Sequence, residues 1–213
     1  VPGSGSKVYD GTALTKTAHD DFTVTGVPEG FTWTATADGT VTNVVPGEGE
    51  KAENAVTSFR IFNAAGEDVT DQFANIDTSA TGTLTITARP ITITANDASN
   101  EYTGSTITYA TAGDAVEPYY TITSGSLATG QSITAIELTG EGIETGEYPI
   151  TITADSVEIG DYTANYAITL APGTLTITES TTEITVVPGS GSKVYDGTAL
   201  TKTEHDDFTV TGV

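Results

Sequence analysis

The sequence predicts an all-β chain of tandem, sandwich-like units, and three observations carry that prediction: a long internal repeat, threonine alternating with apolar residues, and hardly any helical periodicity. Residues 1–27 read VPGSGSKVYDGTALTKTAHDDFTVTGV, and residues 187–213 repeat them at 26 of 27 positions, with Glu204 standing where the first copy has Ala18. Unrelated folded domains do not share such a stretch, so the chain reads as slightly more than one 186-residue period of a longer tandem array. The units are expected to be β-sandwich-like, immunoglobulin-like or otherwise mostly β, with a β-grasp-like unit as the alternative, and to follow one another as an elongated rod.

Threonine accounts for 44 of the 213 residues, mostly beside Val, Ile, Leu or an aromatic residue. Taken in order, Thr23-Val24-Thr25, residues 31–34, 83–87, 91–94, 150–153 and 175–178 all alternate with period two and read as half-buried strands. Successive strand side chains face opposite sides, so the aliphatic residues enter a core while β-branched Thr covers the wet face. The best helical stretch is residues 48–58, but Gly47, Gly49 and the strand-like run from Phe59 to Phe62 favour a loop leading into a strand.

A fainter repeat lies inside the period. Thr70-Asp71-Gln72-Phe73-Ala74 aligns with Thr163-Ala164-Asn165-Tyr166-Ala167, Gly82 to Thr87 recurs as Gly173 to Thr178, and Tyr9 corresponds to Tyr102. Two related domains are therefore expected, 1–88 and 89–182, with 183–213 opening the next copy of the first. Glu183 to Val187 reads as the leading strand of that next copy, as Ile91 to Thr94 does for the second domain, and the first domain lacks such a strand. The boundaries at 88–90 and 179–182 have no Gly, and Pro90 locks one φ, so the junctions are expected to be stiff.

Charge and composition exclude several function classes. With 7 basic and 29 acidic residues the net charge is −22, which repels nucleic acid and anionic membranes, and the single, scattered Lys and Arg make no basic track. The hydrophobic fraction of 37% is enough for a core, so a folded acidic protein is expected rather than a disordered one. No run of about 18 apolar residues and no basic-then-apolar leader is present, so neither membrane insertion nor a signal peptide is expected in this segment. The absence of Cys removes disulfide and thiolate chemistry.

Candidate chemistry is sparse. Tyr9-Asp10-Gly11 reads either as a sugar contact or as a tight turn in which Gly11 supplies a positive φ and Tyr9 packs back, and the turn is the expected state. Between His19 and His205 there is no His, which leaves the second domain without a Ser-His-Asp set and the chain without a His-rich metal cluster. No two acids concentrate beside an aromatic cleft as a glycosidase needs. Asp20-Asp21 beside His19, and Asp97 to Glu101, offer oxygen ligands for calcium, but the one is only a pair and the other lacks the Gly of an EF-hand loop, so solvated charge is expected. No enzyme activity, catalytic residue, cofactor or metal is therefore assigned. Exposed aromatics such as Trp33, Tyr119-Tyr120 or Tyr162 carry the competing reading of a repeated adhesive module for host glycans or protein, with affinity gained through avidity.

Lys7-Val8-Tyr9-Asp10-Gly11-Thr12-Ala13-Leu14-Thr15, then Gly66-Glu67-Asp68-Val69-Thr70-Asp71-Gln72-Phe73, then Gly82-Thr83-Leu84-Thr85-Ile86 resemble, in order, the landmarks of YDG/MBG-type repeats of large, mostly Gram-positive, bacterial surface adhesins. The second domain is similar more loosely, with Glu101-Tyr102-Thr103-Gly104 and Gly160 to Tyr166 in the corresponding places. The resemblance implies an extracellular all-β stalk or spacer repeat on the bacterial cell surface. It also implies wall anchoring through other parts of the protein, a separate distal binding domain, and no catalytic residues. Partners expected on this reading are neighbouring repeats of the same chain or head-to-tail self-assembly, with host glycan or protein as partners on the competing adhesive reading.

Three further expectations concern packing. Phe22, Phe31, Trp33, Phe59, Ile61, Phe73, Leu84 and Ile86 should face the first core, and the aligned Phe73 and Tyr166 should sit at equal depth, with the Tyr166 hydroxyl reaching a partner or the surface. A Lys–Asn staple is disfavoured: residues 89–182 contain no Lys, and Lys7, Lys16 and Lys51, with Asn63 or Asn75 as partners, lie in polar, turn-like context. Residues 187–213 are too few to fold alone, so either a continuous array completes them, the favoured version, or chains exchange equivalent segments head to tail. Circular dichroism checks the class directly: a strand-type far-UV spectrum is expected, and a helix-dominated one contradicts the prediction.

Overall fold

Alternation of threonine with aliphatic residues sets the sheets. The computed structural model of the chain describes residues 1–45, 51–111 and 119–212. The chain is mostly β, with short 3-10 turns among the strands. Its first part contains β1 (Gly5–Val8), β2 (Leu14–Thr15), β3 (Thr32–Ala37), β4 (Thr40–Val41), β5 (Ala52–Asn54), β6 (Val56–Phe62) and β7 (Gly82–Thr87). They pair as β1-β7-β5, β2-β4 and β3-β6. The second part contains β8 (Arg89–Ala95), β9 (Ala98–Glu101), β10 (Ile107–Thr111), β11 (Tyr120–Ser124), β12 (Leu138–Gly142), β13 (Gly146–Ile152), β14 (Tyr166–Ala171) and β15 (Gly173–Thr178). These form one sheet in the order β10-β12-β13-β15-β9 and another in the order β11-β8-β14. Among the described residues no ladder joins a strand before Ala88 to one after it.

In the runs 83–87, 91–94, 150–153 and 175–178 the apolar members are buried and the threonines are not. Ile91 and Ile93 of β8, Ile150 of β13, and Leu175 and Ile177 of β15 lie in one core with Leu138 of β12. Leu84 and Ile86 of β7 do the same in the first part. Each part closes in the same way: β7 runs parallel to β1, and β15 parallel to β9. The opening glycine of each GTLTIT run has a steric reason. A Cβ on Gly82 would clash with the Gly3 carbonyl, and one on Gly173 with the Ala95 carbonyl, because the closing strand crosses the chain just ahead of β1 and of β9.

Buried Asn54 holds the open side of the first part together. Its Oδ1 accepts the Gly39 amide at 2.9 Å, and its Nδ2 donates to the carbonyls of Gly3 at 3.0 Å and Lys16 at 2.8 Å. One side chain thus satisfies backbone groups of three separate segments.

Several expectations need correcting, and most share one cause. In the second part the leading strand β8 lies between β11, antiparallel, and β14, parallel. In the first part no described strand holds the equivalent place. Thr23-Val24-Thr25, expected as a strand, forms none, although Thr23 exchanges paired hydrogen bonds of 2.9 and 2.8 Å with Val1. The identical residues within Phe208 to Thr211 form a strand, β17, because β16 (Thr185–Pro188) supplies its antiparallel partner. Residues 73–81, the counterpart of β14, form no strand for the same reason. The first core therefore stays open: Phe22, Ile61, Leu84 and Ile86 are buried, but Phe31, Trp33, Phe59 and Phe73 are only half-buried. Phe73 and Tyr166 consequently differ in depth, Tyr166 being buried.

Two more corrections are local. Arg89 and Pro90 are the first residues of β8, paired with Tyr166 and Ala167, so Ala88 alone separates the last strand of the first part from the first of the second. Of the stretch considered for a helix, 48–50 lie outside the described residues, and the rest falls in β5 and β6 except for Lys51 and Ala55. Within residues 187–212 only Phe208–Thr211 pair with β16, and all stay exposed apart from a half-buried Asp207, so neither form of completion is present within one chain.

Replacing Asn54 by Ala strands one buried and two part-buried backbone groups. We expect a loss of about 2 kcal/mol or more in chemical denaturation, against less than about 0.5 kcal/mol for Ala at exposed Asn75.

Candidate functional site

The Tyr9-Asp10-Gly11 turn is local chemistry. Asp10 Oδ1 accepts the Thr12 amide at 2.9 Å, the Thr12 hydroxyl at 2.8 Å and the Lys7 ammonium at 2.8 Å, while Gly11 sits at φ +81°. Lys7 first, and the Thr12 amide and hydroxyl next, hold the Asp10 carboxyl well below the usual carboxylate range. The second copy builds the same turn from Lys193, Asp196 and Thr198 alone. The turn is thus encoded within seven residues.

Its tyrosine does not pack back. Tyr9 is 1% exposed, and its ring meets Tyr166 of the second part edge-on at 5.5 Å. Gln131 Nε2 donates to the Tyr9 hydroxyl at 2.7 Å, and Gln131 Oε1 accepts from the Tyr166 hydroxyl, which itself accepts the Ala128 amide at 2.8 Å. Every polar atom of this plug therefore has a partner. Arg89 ties the rim, donating to the Tyr9 carbonyl at 3.5 Å and to Ser126 Oγ at 2.6 Å. A second clamp lies beside it: buried Asn165 accepts the Val44 amide at 2.7 Å and donates to Asn43 Oδ1 at 3.1 Å. A junction with one intervening residue is thereby fixed by two polar clusters around a buried ring.

The other residues considered from sequence stay apart. Trp33 is half-buried in β3, with the His19 ring stacked on it at 4.0 Å and Phe59 at 6.3 Å. Tyr119 is edge-on to Tyr109 at 5.7 Å, Tyr119 and Tyr120 are half-buried, and Tyr162 is 44% exposed. The acidic candidates are engaged within the chain: Asp20 with His19 at 3.4 Å, Asp21 with Lys16 at 3.0 Å, Asp97 with the Thr174 amide at 2.8 Å, and Glu101 with the Thr181 hydroxyl at 3.0 Å. Among the described residues no three His, Asp or Glu side chains converge as a metal site, and no helix is long and apolar enough to cross a membrane. Lys7 is held by Asp10 and Lys16 by Asp21, Lys51 is exposed, and Asn63 accepts the Ala65 and Glu67 amides in its own turn. Sequence reading misses Gln131, Asn43, Asn54 and Asn165. Only the internal repeat points near them, through Asn165 beside Tyr166.

No family model, curated protein or solved structure matches this chain.

Two outcomes follow from the geometry. Tyr9→Phe removes one hydrogen bond and should cost about 1 kcal/mol, whereas Tyr9→Ala opens a cavity at about 3–5 kcal/mol and should split denaturation of the two parts into separate transitions. The Asp10 turn should resist acid. A depressed folded pKa contributes stability that is full above the unfolded value near ~3.9 and is lost as pH falls through the lower folded value. The Thr12 amide resonance should therefore hold its position as pH drops to about 3 and move only below it, and Asp10→Asn should abolish that movement.

Proposed function

We propose that this chain is a stretch of a structural stalk: tandem β-sandwich-like units set end to end as a rod, of the YDG/MBG adhesin type, projecting a distal binding domain from a bacterial cell surface. The observation that carries this reading is the burial of Tyr9 in the unit that follows its own. The same turn residue recurs as Tyr102 and Tyr195, so a clip of this kind is available at every junction of an array. Tyr102 already makes the equivalent backbone bond, its amide donating to Thr178 at 2.9 Å as that of Tyr9 does to Thr87. Near-identical copies, a one-residue connection and threonine-covered faces further support a part whose product is length.

The partners of this segment are then neighbouring repeats, and the wall anchor and the adhesive tip belong to other parts of the protein. A strand-rich unit of 10 to 12 extended residues spans roughly 35–40 Å at ~3.3 Å per residue. Small-angle scattering of the chain should accordingly give an elongated particle with a cross-section of one unit, and a glycan and mucin screen should give no saturable binding. Side-by-side packing of the units would contradict the rod. Saturable binding abolished by Trp33→Ala in a folded protein would replace the spacer with an adhesive module.

A further inference from the structure

The turn tyrosine recurs at each junction, but what receives it does not. Residues 28–31 and 128–131 form the same turn, with 3.1 Å bonds from Phe31 to Pro28 and from Gln131 to Ala128 and with Gly30 and Gly130 both at φ +81°. Phe73 and Tyr166 likewise follow equivalent 3-10 turns, Thr70–Gln72 and Thr163–Asn165. The groups around the Tyr9 hydroxyl thus have counterparts in the first unit, and each has lost its polar function. Phe31 stands for Gln131, Phe73 for Tyr166, and Pro28, which has no amide hydrogen, for Ala128. Residues 187–213 open a further unit of the first type, so it is this apolar socket that Tyr102 of the second unit meets. Seated as Tyr9 is, its hydroxyl would have no partner.

The covalent connection differs in the same sense. Ile91 stands eleven residues ahead of Tyr102, and Ile184 eleven ahead of Tyr195, so the two mark the same position. Three residues, Ala88 to Pro90, lead to Ile91 from the end of β7, and five, Glu179 to Glu183, lead to Ile184 from the end of β15. The two extra residues add roughly 7 Å of extended chain at ~3.3 Å each. Glu183 takes the place of Pro90, and Thr182 that of Arg89, which ties the Tyr9 carbonyl to Ser126. The Glu101 carboxylate holds the Thr181 hydroxyl at 3.0 and 3.2 Å, but Glu101 belongs to the second unit, so that bond does not reach the next. The bridging loop is shorter as well. Val41 opposes Leu14 as Gly142 opposes Ile107, and Ala52 opposes Leu84 as Tyr148 opposes Leu175, so ten residues, 42–51, stand where the second unit has five, 143–147. It is the longer loop that carries Asn43 and Val44 across to Asn165.

We infer that the connection at 179–183 is a hinge, left free because Tyr102 is not locked as Tyr9 is, so that the array is a series of rigid two-unit segments jointed once in every 186-residue period. This rests on the tandem-stalk reading. The test uses the whole chain extended after Val213 by a second copy of residues 28–88, which completes the next unit. Nitroxide labels go on cysteines introduced into a chain that has none, at exposed Ser58 and Thr108 across the first junction, and at Thr108 and the added counterpart of Ser58 across the second. Electron–electron dipolar spectroscopy should give a distance distribution about twice as wide, or more, across the second junction as across the first. Changing the added counterparts of Pro28, Phe31 and Phe73 to Ala, Gln and Tyr gives Tyr102 the partners of Tyr9, and should narrow the second distribution to the width of the first. Equal widths in the unchanged chain, or a second distribution that this exchange leaves wide, overturn the inference. The two readings fail separately: two narrow distributions leave the rod standing without a joint, and two wide ones remove the rod as well.

Discussion

The phenol ring of Tyr9 lies in the core of a unit to which its own strand does not belong. A turn held by Asp10 and Thr12 fixes where the ring starts, and Gln131 and Tyr166 fix where it ends. Because one residue, Ala88, separates β7 from β8, the chain has little freedom left once that ring is seated. Orientation of one unit on the next is thus set by packing and hydrogen bonding, with the short connection limiting the alternatives. The turn itself is independent of the docking. Around Tyr195 the same bonds form while the ring stays 92% exposed, so each copy presents its plug before a socket reaches it.

The leading strand governs the interior of each unit in a comparable way. Phe22 to Thr25 and Phe208 to Thr211 are the same four residues, yet only the second set is a strand, and the difference lies in residues 183–186. Parallel pairing with β14 gives the leading strand a second role, since it also orders the segment that carries Tyr166. Core closure and socket formation are therefore coupled: Tyr166 is buried where β8 is present, and Phe73 is half-buried where no such strand is. Stability in this chain resides as much in what one part lends the other as in either part alone.

Much of this is legible in the sequence because it is local. Period-two alternation locates β3, β7, β8, β13 and β15, and the aspartate and glycine of the turn identify it as a turn. Non-local features are not legible. Nothing in Lys7 to Thr12 says that Tyr9 faces the following unit rather than its own, because the direction depends on Ala128 and Gln131, more than a hundred residues on. Asn54 reads as an ordinary loop residue, since its value lies in three carbonyl and amide groups brought together by folding. The alternation of Thr23 to Thr25 is a genuine strand pattern that fails in place, because a strand needs a neighbour as well as a sequence.

Residual dipolar couplings of backbone amides, measured separately for residues 1–88 and 89–178 of the chain, test the account at its centre. If Tyr9, Gln131 and Asn165 hold the units in one orientation, both sets fit a single alignment tensor of one magnitude and direction. Two tensors of different magnitude would mean that the units reorient about Ala88, and would contradict the claim that a buried tyrosine fixes the junction.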